Sequence, residues 1–375
     1  MAGNTFGTVF RITTFGESHG QALGVVIDGC PAGIPIKQEE IQAELNRRRP
    51  GHSGNKEFNP AVTSRSEADT AEIMSGVFEG VSIGSPITLL IHNTNQHSKD
   101  YSALAKTFRP GHADYTYYKK YGTYDYRGGG RSSGRETAAR VAAGAVAQAV
   151  LKAYCPDTHI EIIAHTVEAC GIKATPLPLE QITKACIEEN PMRCADKKSA
   201  DEMLKTITEL RKTGDSGGGI IECIVKGVPA GWGEPVFDKL EAELAKAIMS
   251  IGAVKGIEFG SGFASAGIKG SEQNDSMLTL NGNDVHFKTN NAGGILGGIS
   301  TGNTILFRFA VKPVPSIFLK QQTLSVTINN GNNTYENTDI CIEGRHDVCL
   351  CPRIVPVAEA MVAVTLADMC LRHNR

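Results

Sequence analysis

The chain has 375 residues, 41% of them hydrophobic and 21% charged, with a formal net charge of -2. That balance describes a folded globular protein, long enough for two ordinary domains or one large one. It argues against a nucleic-acid coat, which would be basic, so no nucleic-acid partner is expected. Arginines clustered at 47–49, 131–135 and 345 in a near-neutral chain suit a small anionic ligand instead.

The opening MAGNTFGTVFRITTFGESHG has no charged n-region followed by an apolar core, so no secretory signal is read there. No apolar run is read as long enough to span a bilayer. The expectation is a cytoplasmic protein with no membrane partner and with its ten cysteines reduced. In GESHG (16–20), His19 sits in a glycine-flanked turn. Glycine lets a backbone come close to a ligand, and histidine exchanges protons near neutral pH. A strand, a C-P-A-G turn and a helix over 39–49 follow, with Ile41 and Leu45 at helical spacing. Pro50 ends that helix after Arg47, Arg48 and Arg49. Arginines in a last turn stabilise the helix dipole by ~0.3–1 kcal/mol each. Three in a row point in different directions, so capping does not account for all of them. Residues 69–79 are predicted helical.

A second histidine, His112, lies in Arg109-Pro110-Gly111-His112. Two histidines in such turns, with arginines following, favour an acid–base role. His159, His286 and His373 read as surface residues. Next, Gly128 to Gly130 run into Arg131, Ser132 and Ser133, and Ser133 and Glu136 have capping-box spacing. An alanine-rich helix is predicted over 136–153. A glycine loop at a helix start presents free N–H groups and the positive dipole end, and Arg131 and Arg135 add full charges. The combination suits a phosphate better than a plain flexible loop.

Residues 155–212 are rich in Pro, Cys and Lys and are expected to form an excursion, with helices over 180–190 and 199–212. Residues 214–231, GDSGGGIIECIVKGVPAG, then align without a gap with 16–33, GESHGQALGVVIDGCPAG. A helix over 238–248 repeats the one over 39–49. A duplication is expected, with halves of roughly 1–150 and 213–375 inside a single domain of 1–375. Shared positions such as Ser18 and Ser216 serve the fold. His19 faces Gly217, and the arginine run faces Lys246 to Ile248, so the chemistry is assigned to the first copy.

Strands are predicted over 219–227 and 303–311. NNAGGILGGISTGN (290–303) suits a flat or phosphorylated cofactor but lacks the dinucleotide fingerprint. Arg345 and Asp347 would face the same way on an extended segment; a salt-bridged turn is an equal alternative. Cys349 and Cys351 read as buried thiols on a short apolar strand, with no second pair at zinc spacing, so no metal is expected. The last helix is predicted over 356–372. Strands and helices mix without regular βαβ alternation, which gives an α+β class.

Taken together, these motifs resemble the chorismate synthase family. GESHG (16–20), RRRPG (47–51), FRPGHADYTY (108–117), GGGRSSGRETAARVAAGA (128–145), MSIGAVKGIEFG (249–260), NNAGGILGGISTG (290–302) and GRHDVCLCPRIVPVAEAM (344–361) carry the resemblance, from Met1 to about Leu371. It implies a β-α-β sandwich with internal pseudo-symmetry and a homotetramer. It implies a shikimate-pathway lyase that converts 5-enolpyruvylshikimate-3-phosphate to chorismate and phosphate by 1,4-anti elimination, the last shared step of aromatic amino-acid biosynthesis. Reduced FMN is required without net redox change. The reductant is left open between NADPH and a separate flavin reductase.

By motif, His19 resembles the histidine that protonates the departing phosphate, and His112 the one that protonates anionic reduced flavin. Asp347, beside Arg345, resembles the carboxylate near flavin N5. Arg48, Arg49 and Arg135 resemble the clamp for NADPH or substrate anions. Arg131, Ser132, Ser133, Gly252, Ala253, Gly297, Lys312, Pro313, Val314, Pro315, Ser316 and Arg345 match flavin-contact segments. The chain departs from the family pattern at Gly54, in an insertion over 56–61 before Arg65, in the prolines of 312–316, and in RHDV for RHDP. The competing function is a non-catalytic flavin- or phosphate-binding module, which needs arginines and glycines but not paired histidines.

Overall fold

The computed structural model describes residues 3–50, 59–63, 69–93, 105–282, 284–329, 332–342, 344 and 346–373. Two five-stranded antiparallel sheets dominate it. The first comprises Thr5–Phe6 (β1), Arg11–Gly16 (β2), Ala22–Asp28 (β3), Ala71–Ser75 (β4) and Ile87–His92 (β5), in the order β1-β2-β3-β5-β4. The second comprises Glu161–Ala169 (β6), Ile172–Lys173 (β7), Gly219–Lys226 (β8), Val254–Phe259 (β9) and Ile305–Val311 (β10), in the order β9-β10-β8-β6-β7. In β10, Ile305, Phe307, Phe309 and Val311 alternate inward, as a sheet with one buried face requires.

The helices are Gln38–Arg48 (α1), Asp114–Tyr121 (α2), Thr137–Tyr154 (α3), Lys184–Glu188 (α4), Lys197–Thr213 (α5), Leu240–Met249 (α6) and Cys351–His373 (α7). Among them, α1, α3, α6 and α7 pack between the sheets. α3 lies on the first sheet and α7 on the second, and the two pack against each other. Their contact is close because Gly144 lies on Ala360: a Cβ at Gly144 would be 2.4 Å from the Ala360 Cβ. α7 is buried along nearly its whole length and is the helix among the described residues long and apolar enough to cross a membrane. This differs from the expectation that no apolar run is long enough to span a bilayer. Here the neighbouring helices and the sheet enclose α7.

Several elements differ from the sequence expectation. Residues 69–79 are not helical: β4 and a short strand Val77–Phe78 occupy them, and β4 pairs with β5. α7 starts at Cys351 rather than 356 and runs through Pro356. Proline cannot donate to the carbonyl four residues back, and Arg193 Nη1 donates to that carbonyl, Pro352 O, instead. Cys351 is therefore helical, and Cys349 and Cys351 are both buried free thiols. Among the described residues no cluster of His, Cys, Asp or Glu is arranged to hold a metal ion. Helix 180–190 shrinks to α4. β6, within 155–212, is an integral strand of the second sheet.

The strand–turn–helix segments β3–α1 and β8–α6 carry the repeated sequence. Their P-A-G turns are held in the same way. Ser82 Oγ donates to Pro31 O (2.5 Å) and accepts from Ile34 N (2.9 Å), while Gly33 N reaches Ser82 O (2.8 Å). Ser300 Oγ donates to Pro229 O (2.6 Å) and accepts from Trp232 N (2.9 Å), while Gly231 N reaches Ser300 O (2.9 Å).

Candidate active site

Loops from both sheets meet around a cleft of about 1640 Å³. The turn after β2 brings Glu17, Ser18 and His19. The segment before α2 brings Arg109, Gly111 and His112. The glycine run and the start of α3 bring Gly128 to Thr137 and Arg140, the α6–β9 loop brings Ser250 to Ala253, the chain after β10 brings Lys312 and Val314 to Ser316, the approach to α7 brings His346 and Asp347, and its first turn brings Arg353.

The glycine run organises both histidines. Gly128 and Gly129 have φ of +71° and +92°, a region L side chains rarely adopt. A Cβ on Gly128 would lie 2.4 Å from His19 Cε1, and one on Gly129 would lie 2.7 Å from His112 Cε1. Consecutive residues thus each abut one imidazole, which brings His19 and His112 to one loop. Ser18 Oγ stands 3.1 Å from His19 Nδ1.

His112 is tied more tightly. Its Nδ1 is 2.7 Å from Asp114 Oδ1, and Arg109 forks onto the same carboxylate, with Nε to Oδ2 and Nη2 to Oδ1 both at 2.7 Å. Lys312 Nζ donates to Gly111 O alongside. Burial first, then the charges of Arg109 and Lys312, push His112 below its ordinary value, and contact with Asp114 offsets only part of this. Burial raises the Asp114 carboxyl, but the hydrogen bonds from Arg109 and His112 more than reverse that and hold it well below the usual carboxylate range. Tyr124, next to this pair, is pushed up to about 12 by burial and by the Asp114 charge.

The arginines divide their work. Arg47 turns away from the cleft to Glu44, Glu188 and Glu359. Arg48, fully buried, donates to Asp69 Oδ2 (2.9 Å) and to Gly134 O (3.1 Å), so it braces the serine–glycine segment. Asp69 also accepts from Arg135, whose Nε donates to Asn93 Oδ1 at 3.1 Å. Arg131 reaches Thr14 Oγ1 at 2.9 Å. Ser133 accepts from Arg135 N, but Glu136 does not reciprocate: its carboxylate takes Thr14 Oγ1 and Arg140 Nε, both at 2.8 Å. The expected capping box is therefore absent, because the buried side-chain partners claim the carboxylate.

Asp347 accepts from Thr63 N and from Arg353 Nη1, each at 2.8 Å. Arg345, Gly54 and Arg65 lie outside the described residues. Of the remaining candidates, His19, Arg48, His112, Arg131, Ser132, Ser133, Arg135, Gly252, Ala253, Lys312, Val314, Pro315, Ser316 and Asp347 line the cleft. Arg49, Pro313 and Gly297 do not. Gly297 turns a short hairpin between Ile295–Leu296 and Ile299–Ser300. The neighbouring Gly293 and Gly294 pack against backbone at Gly260 and Thr304, so close chain packing, rather than a ligand cradle, is what those two glycines serve in this chain.

Sequence reasoning passed over Arg109, Asp114, Arg140 and Arg353. Arg109 and Asp114 flank His112 in the R-P-G-H-A-D run, which was the available signal. Arg140 stands one turn after Glu136, and its Nη1 donates to Ser250 Oγ at 2.6 Å, bridging α3 to the α6–β9 loop.

Comparison with known proteins gives one answer. A family model described as chorismate synthase matches residues 10–371. A chorismate synthase of Methanosarcina mazei is 55% identical over 374 residues, covering 100% of this chain and 98% of that protein. One from Syntrophobacter fumaroxidans is 53% identical over 371 residues, covering 99% and 98%. A crystal structure of chorismate synthase superposes with a TM-score of 0.72 at 30% identity, covering 98% of this chain and 93% of that one.

Proposed function

The chain belongs to the chorismate synthase family, and on that premise we propose that the cleft described above is where the family's elimination is carried out. Members are lyases that turn 5-enolpyruvylshikimate-3-phosphate into chorismate and phosphate and require reduced FMN.

The residues present fit both ligands. A pocket for one drug-sized ligand typically measures ~300–1,000 Å³; a cleft of about 1640 Å³ has room for substrate and flavin side by side. The substrate carries a phosphate and two carboxylates, and FMN adds a further phosphate. Arg131, Arg135, Arg140 and Lys312 line the cleft to meet them. We assign the flavin to Arg131, Ser132, Ser133, Gly252, Ala253, Lys312 and Val314 to Ser316, and the substrate anions to Arg135, with Arg48 acting through Asp69. Within one chain, Arg49, Pro313 and Gly297 receive no direct contact.

When bound, reduced FMN supplies electron density to the allylic system as phosphate leaves. The chain handles the protons. His19 donates one to the departing phosphate oxygen. His112 holds a proton facing the anionic flavin. Asp347, oriented by Thr63 and Arg353, is the carboxylate that helps accept the proton released beside the flavin. The single observation carrying this reading is that adjacent glycines, Gly128 and Gly129, each abut one of the two histidines. A non-catalytic binding module would have no need to gather them.

The test is an anaerobic assay with the enolpyruvyl phosphate substrate and chemically reduced FMN. Phosphate should appear without flavin oxidation. His19→Ala and His112→Ala should each lower turnover by ~10²–10⁴-fold while flavin still binds. Flavin binding with no turnover in the wild type would favour the binding module. Repeating the assay with NADPH and oxidised FMN tests NADPH as the reductant.

Two structural readings go with this one. The matching serine clamps at Ser82 and Ser300 support an internal duplication relating β3–α1 to β8–α6. The exposure of large apolar side chains such as Phe237, Phe263, Met277, Leu280 and Leu296 supports their burial between subunits of a homotetramer, which light scattering of the purified protein would test.

A further inference from the structure

Arg109, His112 and Asp114 form a closed triangle. Asp114 Oδ1 is 2.7 Å from both His112 Nδ1 and Arg109 Nη2, and Arg109 Nη2 is itself 3.0 Å from His112 Nδ1. One neutral tautomer fits better than the other. With the proton on Nδ1, that N–H and the guanidinium both donate to Oδ1. With Nδ1 bare, Arg109 Nη2 could donate to it at 3.0 Å, but its lone pair would still face a carboxylate oxygen at 2.7 Å with no proton between them. Nε2 is therefore the nitrogen that exchanges protons.

We propose that Arg109 and Asp114 are a positioning pair for His112: the carboxylate fixes the proton on Nδ1 and aims Nε2 at the ligands, while the guanidinium cancels the carboxylate's charge. This rests on the reading of His112 as a proton-handling group. A bare His–Asp dyad would favour the imidazolium in the empty site. With Arg109 forked onto the carboxylate, the orientation is kept and most of that bias is removed. Among the described residues, the charged and titratable groups around His112 are Arg109 and Asp114 from its own segment and Lys312 from the chain after β10, with Tyr124 next to the pair. Burial and the two cations together keep the imidazole below its ordinary value.

Removing either member of the pair has opposite consequences. Asp114→Asn takes away the negative neighbour, so the His112 titration moves to lower pH. Arg109→Met leaves the carboxylate uncompensated, so it moves to higher pH. Those signs follow from the two charges alone; what a purely structural ion pair would leave unmoved is the tautomer of His112 and the split between kcat and KM.

The experiment is nitrogen-resolved NMR of histidine-labelled full-length protein, with the His112 signal assigned by its loss in His112→Gln. In the wild type the Nδ1–H tautomer is expected, and this needs no variant of the pair to fold. The two substitutions should shift the titration in opposite directions. Asp114→Asn should lower kcat about 10²-fold or more, with KM changed far less. Arg109→Lys, which keeps the charge, should titrate close to wild type. An Nε2–H tautomer in the wild type, or shifts of the same sign in both variants, would overturn the pairing. Full turnover in His112→Gln would overturn the acid–base reading itself, a separate result from the same samples.

Discussion

At Gly129 a methyl group would stand 2.7 Å from His112 Cε1 and 3.0 Å from Ser132 Oγ, on a backbone with φ of +92°. Gly171, in the turn between β6 and β7, has a similar φ of +81° but nothing within 4 Å of the missing Cβ. Alanine at either position carries a similar backbone penalty, about 1–2 kcal/mol. Only Gly129→Ala also pushes on His112. Gly129→Ala should therefore lose at least as much stability in urea as Gly171→Ala, while turnover falls, by up to about 10²-fold for a catalytic group misplaced by ~1 Å, in Gly129→Ala alone. Equal turnover in the two variants would separate the glycine run from the chemistry. Much of this was legible beforehand. Glycine-flanked histidines and a triple glycine before arginines are rare combinations with few structural uses. The roles of Arg109, Asp114 and Arg353 were not legible, because an ordinary charged residue acquires meaning only from the partner folding gives it. Asp347 illustrates this: the arginine expected beside it in sequence is two residues away, while the one bonded to it comes from the first turn of α7.

Elements were easiest to read where one periodicity ran long enough to dominate. The alanine-rich stretch gave α3 within a residue at each end. Over 69–79 the signal was too short, and Gly76 and Gly80, both with positive φ, bend the chain into short strands. Pro356 was a misleading cue, since its helix-breaking effect is offset by an arginine from elsewhere. The α3–α7 contact depends on a small residue. Gly144→Ala gains ~1 kcal/mol of helix propensity. It also places a methyl 2.4 Å from the Ala360 Cβ and 2.5 Å from its Cα, and a helix backbone cannot yield as a side chain can. Overpacking typically costs 1–3 kcal/mol, and more where backbone must move. The clash should win, and the urea midpoint should fall. The reciprocal change, Ala360→Gly, placed in the Gly144→Ala background, should recover part of the loss. A midpoint that rises in Gly144→Ala would mean the helices separate at little cost.

The whole molecule brings cationic loops from two sheets around one cleft, and the consequence is a linkage between ligand binding and protons. Burial and the charges of Arg109 and Lys312 hold His112 below its ordinary value of 6.5 before ligands bind, which favours the neutral imidazole at pH 7. Phosphate and carboxylate groups entering the cleft favour its charged form. Binding at pH 7 should then draw protons from solution, and affinity should weaken as pH rises through the range where the bound-state imidazole loses its proton. Below the empty-state titration His112 is already charged, so uptake there should vanish. Calorimetry of substrate binding at pH 7, in buffers of differing ionisation enthalpy, reads the uptake directly. His112→Gln should show less than wild type, and the difference is the share carried by that residue. The same uptake in both proteins would mean that the anions are neutralised by the arginines alone, with no imidazole charged in response.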